Sequence, residues 1–472
     1  MAAPGQNGGA PSGNGAAPAS SADYGKTASF LAVGVGLTGV ITYAYFLIAS
    51  HTLSKHDYGQ ITVLWSAVFI TISTLYRPIE QLLSRHISER ITRGEPINQP
   101  MRVASTIQLG LSLLFTVLAL ALRGPIQDTL LEGNETLYWV FFTSVLFYAA
   151  SYFARGFLAG KQQFGLFVAL ILSESCFRTI FAVMVAIGIL SGQSAVAIGI
   201  TAAPALSLIV VPFAFARRAK QEAAKPAAAV DPDRPQENFS FAHGGGFAAA
   251  VLLIMFSEQA FLNAGPLIVR GLEGASAAGF IFNVLMLARA PLQLFQSVST
   301  SILPHLTSLH ASKDESSERE FHKTVRMVLL GIVAFTALVT VVVLIAGPKC
   351  MQIAFGDKFT YDRAGLLLVS LGMGLYLASV TVNQATIAQG QVRRSALRWI
   401  TCAAVFIGWN FLPLISEEQR RVEVGFLLAA TVLCTLLWWV YTHPKVDHPE
   451  DVPQPGSPEE IEATLAAMDE SV

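Results

Sequence analysis

The chain has 472 residues, of which 53% are hydrophobic and only 13% are charged. Soluble domains usually carry about 25% charged residues, and half that level cannot cover the surface of a globule of this size. The composition therefore excludes a soluble enzyme and a disordered protein, and the net charge of −1 shows no basic excess for binding nucleic acid. We expect a protein that is mostly embedded in a membrane.

The chain opens with a polar segment and continues with apolar runs. Residues 1–26 are rich in Ala, Gly, Pro and Ser and lack the positive segment of a signal peptide, so they predict a disordered cytoplasmic tail. From Thr27 onward, apolar runs of about 20 residues, long enough to cross a bilayer, alternate with short polar breaks. Because a backbone in lipid must satisfy its own hydrogen bonds, we predict an all-α polytopic membrane protein. The twelve predicted spans are 28–50, 60–83, 103–122, 137–154, 165–190, 194–216, 247–269, 276–303, 324–346, 364–388, 396–414 and 424–442.

A polar segment at 217–243, containing Ala and Pro, separates the sixth span from the seventh. This composition is typical of a linker, and we predict that it joins two six-helix halves on the cytoplasmic side. The N-terminal half then covers 27–216 and the C-terminal half covers 244–443. Residues 444–472 hold eight acidic residues against one lysine and predict an acidic cytoplasmic tail.

A weak internal repeat supports the division into halves. Tyr58-Gly59 opens the second span, and Ala278-Gly279 opens the eighth span 220 residues later. Since six spans return the chain to its starting side, we expect parallel repeats about an axis along the membrane normal, with a central cavity between them.

The distribution of basic residues predicts the orientation. With the N-terminus inside, 20 of the 31 Lys and Arg residues fall in cytoplasmic segments, 8 in outer segments and 3 within spans. Cytoplasmic loops carry such an excess, so we expect a multi-pass protein of the plasma membrane with both termini in the cytoplasm.

Ionisable residues within the spans are the main functional candidates, because charges in a bilayer are costly and usually face a cavity or a partner. Glu174 and Arg178 are four residues apart on one helix face, and we expect a structural ion pair. Arg77 and Glu80 are three apart and could also pair. Pro78 frees a backbone carbonyl beside them, however, which favours a functional site there.

Glu258 and Arg289 have no oppositely charged residue within one turn of their own spans. They either pair with each other or serve a ligand or an ion. Arg77 and Arg289 lie on corresponding spans of the two halves, and guanidinium groups suit forked contact with phosphate. We therefore predict an anionic substrate bound by Arg77, Arg289, Asn263 and Gln293, with proton or Na⁺ coupling at Glu258 and Glu80.

Three short segments carry a resemblance to a known family. Residues 53–59 (LSKHDYG) look like the entry to the second span of polysaccharide flippases, residues 155–160 (RGFLAG) are similar to an RGxxxG segment, and residues 355–359 (FGDKF) look like an FGxxF/Y element. Their order, together with twelve spans in two halves, resembles the polysaccharide and O-antigen (Wzx-type) flippases of the multidrug/oligosaccharidyl-lipid/polysaccharide (MOP) exporter superfamily. The resemblance covers roughly residues 25–443.

The resemblance implies a MATE-like fold and a transporter that moves a polyprenyl-diphosphate-linked saccharide from the inner to the outer leaflet. Related lipid II flippases use cavity arginines, and Arg77 and Arg289 lie on the corresponding helices. The partners implied are the lipid-linked glycan, membrane lipid and other polysaccharide-assembly enzymes.

Two other functions stay open at this point. The first is a MATE-like drug or cation antiporter, which would prefer acidic groups and few arginines in its cavity. The second is a membrane-embedded glycosyltransferase or polymerase, for which the outer acidic residues would be Asp128, Glu132, Asp357 and Asp362. No nucleotide-binding loop, HExxH motif or CxxC pair is present, so we expect no enzyme activity, metal or cofactor.

Overall fold

The computed structural model describes residues 21–92, 94–212, 241–300 and 315–444, without the side chains of some residues next to the gaps, including 290–300. Most of the predicted linker 217–243, the acidic tail 444–472 beyond Pro444 and most of the tail 1–26 lie outside these residues. The first helix already begins at Ser21, and another helix begins at Phe241, inside the predicted linker. The described part is all-α. Its helices are α1 Ser21–Thr52, α2 Lys55–Leu75, α3 Arg77–Thr92, α4 Asn98–Ala121, α5 Glu135–Gly160, α6 Phe164–Ala186, α7 Gly192–Ser207, α8 Phe241–Glu273, α9 Ala275–Thr300, α10 Glu315–Phe355, α11 Arg363–Ala388, α12 Val392–Asn410 and α13 Glu418–Thr442.

Each predicted span corresponds to a helix, with α2 and α3 together forming the second span. Among the described residues, ten segments are long and apolar enough to cross a membrane. The helices outside that set are α9, whose apolar part is described only over Ala275–Arg289, and α12. The first two turns of α12 contain Arg393, Arg394 and Arg398, which lower its apolar character.

Two helices extend well beyond the apolar runs that predicted them. The long helix α10 has 41 residues, whereas the apolar run predicted 324–346, and at 1.5 Å per residue it is about 60 Å long. Helix α5 continues through Arg155 to Gly160, so Arg155 is a buried helical residue and not a loop residue as the span limits predicted.

The two halves use the same packing scheme. In the N-terminal half α1 packs on α6, α5 packs on α7, and α6 packs on α7. The corresponding helices of the C-terminal half make the same pairs, α8 with α12, α11 with α13, and α12 with α13. Helices α4 and α10, the third span of each half, expose large apolar side chains such as Leu109 and Ile345, as expected for surfaces in contact with lipid.

Helix α2 forms the main contact between the halves, packing on both α8 and α9. The contact lies at the end of the bundle that carries residues 53–60 and 355–362, called here the outer end because the basic residues predict that it faces away from the cytoplasm. A Cβ on Gly59 would overlap the Ala275 carbonyl, and one on Gly279 would lie 3.1 Å from the Gly59 Cα. The two repeat-related glycines therefore let the two helix backbones touch.

Candidate functional site

The second span is broken where Arg77 and Glu80 lie. Helix α2 ends at Leu75, Tyr76 is a turn residue with a distorted helical geometry (φ −113°, ψ −24°), and α3 begins at Arg77 with Pro78 in its first turn. Arg77 and Glu80 are 3% and 8% exposed, so both charges are buried at the break. The start of a helix carries a partial positive charge, which stabilises Glu80 in the first turn of α3.

Close backbone packing fixes this break against α5. A Cβ on Gly156 would lie 2.7 Å from the Glu80 carbonyl oxygen, and one on Gly160 would lie 2.8 Å from the Ser84 carbonyl oxygen. The spacing of four residues places both glycines on one face of α5. The RGxxxG segment is therefore a helix-packing surface that positions Glu80, and its arginine belongs to a separate cluster.

That cluster is built around Glu174 in the interior of the N-terminal half. Arg155 Nη2 lies 2.8 Å from Glu174 Oε2, while Arg178 Nη1 lies 4.0 Å from Glu174 Oε1. All three residues are almost fully buried. Glu174 thus has Arg155 as its closer partner, in addition to the Arg178 expected from the spacing, and these three side chains together carry one net positive charge.

Aromatic rings enclose the two guanidinium groups. The Arg178 guanidinium lies 4.3 Å from the centre of the Trp65 ring, and the Arg155 guanidinium lies 4.7 Å from that of Tyr152. Arg178 also donates to Thr42 Oγ1 at 2.9 Å. Cation–π contacts of this kind stabilise a desolvated guanidinium. The cluster therefore joins α1, α2, α5 and α6 through a buried positive centre.

The polar residues predicted on α8 are also buried. Glu258 is 1% exposed, and Asn263 donates from Nδ2 to Gln259 Oε1 at 2.9 Å. Asn383 and Gln384 on α11 are buried as well, and the oxygens of both side-chain amides have no hydrogen-bond partner in the described structure. The predicted polar residues of the C-terminal half thus form a group of buried amides with the buried carboxylate of Glu258, and a second carboxylate, Glu423 on α13, is buried elsewhere in this half.

Arg289 is partly buried on α9, one turn after Met286, whose carbonyl accepts a hydrogen bond from Tyr43 on α1 at 2.8 Å. It follows Gly279 by ten residues, or about 15 Å along the helix, whereas Arg77 follows Gly59 by eighteen, or about 27 Å. Since the two glycines touch, the two arginines lie at different depths in the membrane. Gln293 lies among the residues whose side chains are not described.

The structure also assembles a cluster at the outer end that the sequence did not predict. Glu132 Oε1 lies 3.0 Å from Arg270 Nη2, and Glu132 Oε2 accepts from Gln60 at 2.6 Å and lies 2.5 Å from His56 Nε2. Burial opposes ionisation of Glu132, but the Gln60 hydrogen bond and the charges of Arg270 and His56 outweigh it and lower the pKa of this carboxyl. The cluster connects the two halves, because Arg270 belongs to α8.

The motifs at 53–59 and 355–359 meet at the same end. Tyr58 donates to Asn283 Oδ1 at 2.5 Å, and its ring centre lies 5.2 Å from that of Phe359. Lys358 Nζ donates to the Leu53 carbonyl at 2.9 Å. Both motifs therefore hold the two halves together at the outer end.

Three of the four outer acidic residues considered for a transferase, Glu132, Asp357 and Asp362, have structural contacts. Asp362 caps the start of α11 and lies 2.8 Å from Arg420 Nη2, and Asp357 accepts from Gln352 Nε2 at 2.5 Å. Glu132 pairs with Arg270 across the contact between the halves, and Asp362 caps a helix. These contacts account for the positions of the acids without an enzymatic role.

Comparison with solved structures identifies the fold. The eukaryotic MATE transporter AtDTX14 superposes with a TM-score of 0.61 and 14% identity, covering 93% of this chain and 98% of that one. An outward-facing multidrug-resistance MATE family transporter of the MOP superfamily gives 0.59 and 13%, covering 89% and 95%. The fold is that of the MATE transporters. No protein-family model matches the sequence, and a sequence search of curated proteins finds no match.

A MOP superfamily transporter from Pyrococcus furiosus superposes equally well, with a TM-score of 0.59 and 13% identity over 89% of this chain and 95% of that one. Its binding pocket has reverse polarity, which suggests a different function for that protein. At identities this low the MATE fold carries no information on the substrate, so the charges of this chain must supply it.

Proposed function

We propose that the protein is a transporter that moves a polyprenyl-diphosphate-linked saccharide from the inner to the outer leaflet of the plasma membrane by alternating access. The observation that supports an anionic substrate best is the pair of guanidinium groups, Arg155 and Arg178, buried around the single carboxylate of Glu174. A cavity that binds organic cations would be expected to hold more carboxylates than guanidinium groups. The interior of the N-terminal half is instead positive.

The depths of Arg77 and Arg289 favour sequential contact with the substrate. Arg77 lies nearer the inner end and Arg289 nearer mid-membrane, about 12 Å apart along the span. A diphosphate that enters from the inner leaflet would contact Arg77 at the α2–α3 break first and Arg289 later. Asn263 and Gln293 would bind the saccharide hydroxyls, since amides both donate and accept hydrogen bonds.

Proton or Na⁺ coupling is proposed at Glu258 and Glu80. Both carboxyls are buried on elements at the proposed path, α8 and the α2–α3 break. A carboxylate in such a place can be neutralised by a proton or a metal cation, and this changes the energy of the conformations that bury it. Other polysaccharide-assembly enzymes are proposed partners that would supply the glycan.

A MATE-like drug or cation antiporter is the second candidate, and the comparisons support it equally, because all the solved structures named above are transporters of that fold. The buried Glu258 suits a cation as well as a coupling ion. The charge of the substrate separates the two functions.

Reconstitution tests both. Purified protein in proteoliposomes is given a fluorescent polyprenyl-diphosphate-linked monosaccharide, whose flipping is followed by its protection from an impermeant quencher, or ethidium, whose efflux is followed directly. We expect flipping of the anionic probe and none of ethidium. Efflux of ethidium without flipping would refute the proposal and establish the antiporter.

A further inference from the structure

We propose that the inner ends of α12 and α13 form a binding site for the headgroup of an anionic phospholipid. The site is made by Arg394 and Arg398, one turn apart on α12, and by Trp439 in the last turn of α13. It lies outside the residues assigned to the transport path, and the proposal does not depend on the transported substrate.

The two guanidinium groups share one aromatic ring. Those of Arg394 and Arg398 lie 5.4 Å and 5.9 Å from the centre of the Trp439 ring. Both distances fall within the range of a cation–π contact. Trp439 therefore holds two positive charges on the same side of the bundle end.

Arg394 is held more firmly than an ordinary surface arginine. It donates to Gln391 Oε1 at 2.5 Å and to the His443 carbonyl at 2.9 Å. Gln391 is itself buried and donates to Gln389 Oε1 at 2.9 Å. Because the guanidinium is already ordered, little side-chain entropy is lost when an anion binds to it.

Within the described part of the chain, neither Arg394 nor Arg398 forms an ion pair with a carboxylate. The guanidinium groups of Arg394 and Arg398, held against Trp439, thus present two positive charges to an acceptor that comes from outside the described protein, and phosphate oxygens match guanidinium donors best.

The surroundings favour a phospholipid over a soluble anion. Leu397, Trp438 and Trp439 are 55%, 44% and 47% exposed, which leaves apolar surface beside the charges. Tryptophans are enriched where the headgroups of a bilayer begin, and basic residues at that level attract anionic lipids. Acyl chains can cover Leu397 and Trp438, whereas the acidic tail that follows His443 offers mainly carboxylates and prolines. An anionic phospholipid therefore satisfies both the charge and the apolar surface.

Native mass spectrometry of the purified full-length protein tests the site, with palmitoyl-oleoyl phosphatidylglycerol as the anionic lipid and the matching phosphatidylcholine as the neutral one. We expect preferential binding of phosphatidylglycerol and at least a tenfold loss of this preference in R394Q/R398Q, since each basic side chain near an anionic lipid contributes about fivefold. W439L, which removes the aromatic ring and keeps both charges, should show a smaller loss.

The matched control is R102Q/R326Q, which removes two exposed arginines near the starts of α4 and α10 and changes the net charge equally. An equal loss in this control would overturn the proposal, as would unchanged binding in R394Q/R398Q. If only a chain ending at His443 prefers phosphatidylglycerol, the acidic tail occupies the site and the proposal is wrong. Stronger binding of polyprenyl diphosphate than of phosphatidylglycerol would assign the site to the transported lipid instead.

Discussion

Arg270 on α8 lies 3.0 Å from Glu132, which follows α4 in the other half of the molecule. Arg270 Nη2 also donates to the Thr129 carbonyl at 3.1 Å, so one side chain holds the whole segment before α5. This contact must break if the halves separate at the outer end during alternating access. Removing the Arg270–Glu132 contact therefore tests how strongly the contacts at the outer end favour the state in which the two halves are closed there.

Replacing Glu132 with Gln should shift the protein toward a state that is open at the outer end. The variant loses the ion pair with Arg270 and the contact with His56 while keeping nearly the same shape. Spin labels at Ser191 and Ser416, in equivalent exposed outer loops, would report the opening by pulsed electron paramagnetic resonance once the four native cysteines are replaced by alanine. In Glu132→Gln we expect a larger fraction of molecules in which the two spin labels are far apart. Glu135→Gln, which removes the exposed ion pair with Arg123 within one half, is the control and should leave the distribution unchanged.

The same cluster predicts a dependence on external pH. The pKa of Glu132 is lowered in the folded protein from its ordinary value of 4.5, so its contribution is fully present above 4.5 and is lost as the pH falls through the lowered value. The groups that face this carboxyl are Gln60, His56 and Arg270, with Asp57 beside His56. Acidification below 4.5 should therefore increase the long-distance population in the wild type. An equal response in Glu132→Gln would show that another group is responsible.

The order of the helices could be predicted from the sequence, because the length of an apolar run is fixed by the thickness of the bilayer, and ten of the twelve predicted spans are long and apolar enough within the described residues. The ends of the helices were less predictable. The span limits stopped before Arg155, since a charge normally ends an apolar run, but α5 continues because Glu174 on α6 neutralises this arginine. A partner on another helix has no signature in the local sequence.

The same limit applies to the candidate site. The spacing of Glu174 and Arg178 predicted their proximity because i and i+4 are neighbours on a helix. The contact between Glu132 and Arg270 joins residues 138 positions apart and depends on how the two halves pack. The sequence alone therefore identifies Glu132 only as an outer acid of a possible enzyme. Its actual neighbours follow only from the contact of α2 with α8 and α9.

Loss of the Glu174 carboxylate from the buried ion cluster should lower the free energy of unfolding strongly, and loss of Arg155 together with it should lower it less. Glu174→Gln leaves Arg155 and Arg178 in the interior without the carboxylate between them, and removing one partner of a buried pair costs about 3–5 kcal/mol. We expect a lower midpoint in thermal unfolding monitored by intrinsic fluorescence. The double variant Glu174→Gln, Arg155→Gln should recover part of the loss, because one of the charges left behind is also removed. Strictly additive losses would show that Arg155 and Glu174 are not coupled.

The contact between Gly59 and Gly279 predicts sensitivity to a single methyl group. Gly59→Ala places a Cβ against the Ala275 carbonyl, and overpacking of this kind costs about 1–3 kcal/mol. We expect a lower thermal midpoint or separation of α2 from α9. Gly110→Ala on α4 is the matched control, because a Cβ there meets nothing within 4 Å and the better helix propensity of alanine should stabilise slightly. Equal effects of the two variants would contradict the close packing at Gly59.

The arginines of the proposed path are expected to affect transport more than folding. Arg289→Gln keeps a polar side chain of similar length but removes the charge, so flipping of the anionic probe should fall at least tenfold while the thermal midpoint stays close to that of the wild type. Arg289→Lys should retain part of the activity, because lysine keeps the positive charge but lacks the bidentate hydrogen-bonding geometry of a guanidinium group. Arg363→Gln, at the exposed start of α11 on the outer end, is the control and should transport normally. Full flipping by Arg289→Gln, or by the double variant that also carries Arg77→Gln, would refute a role for these guanidinium groups in binding the diphosphate.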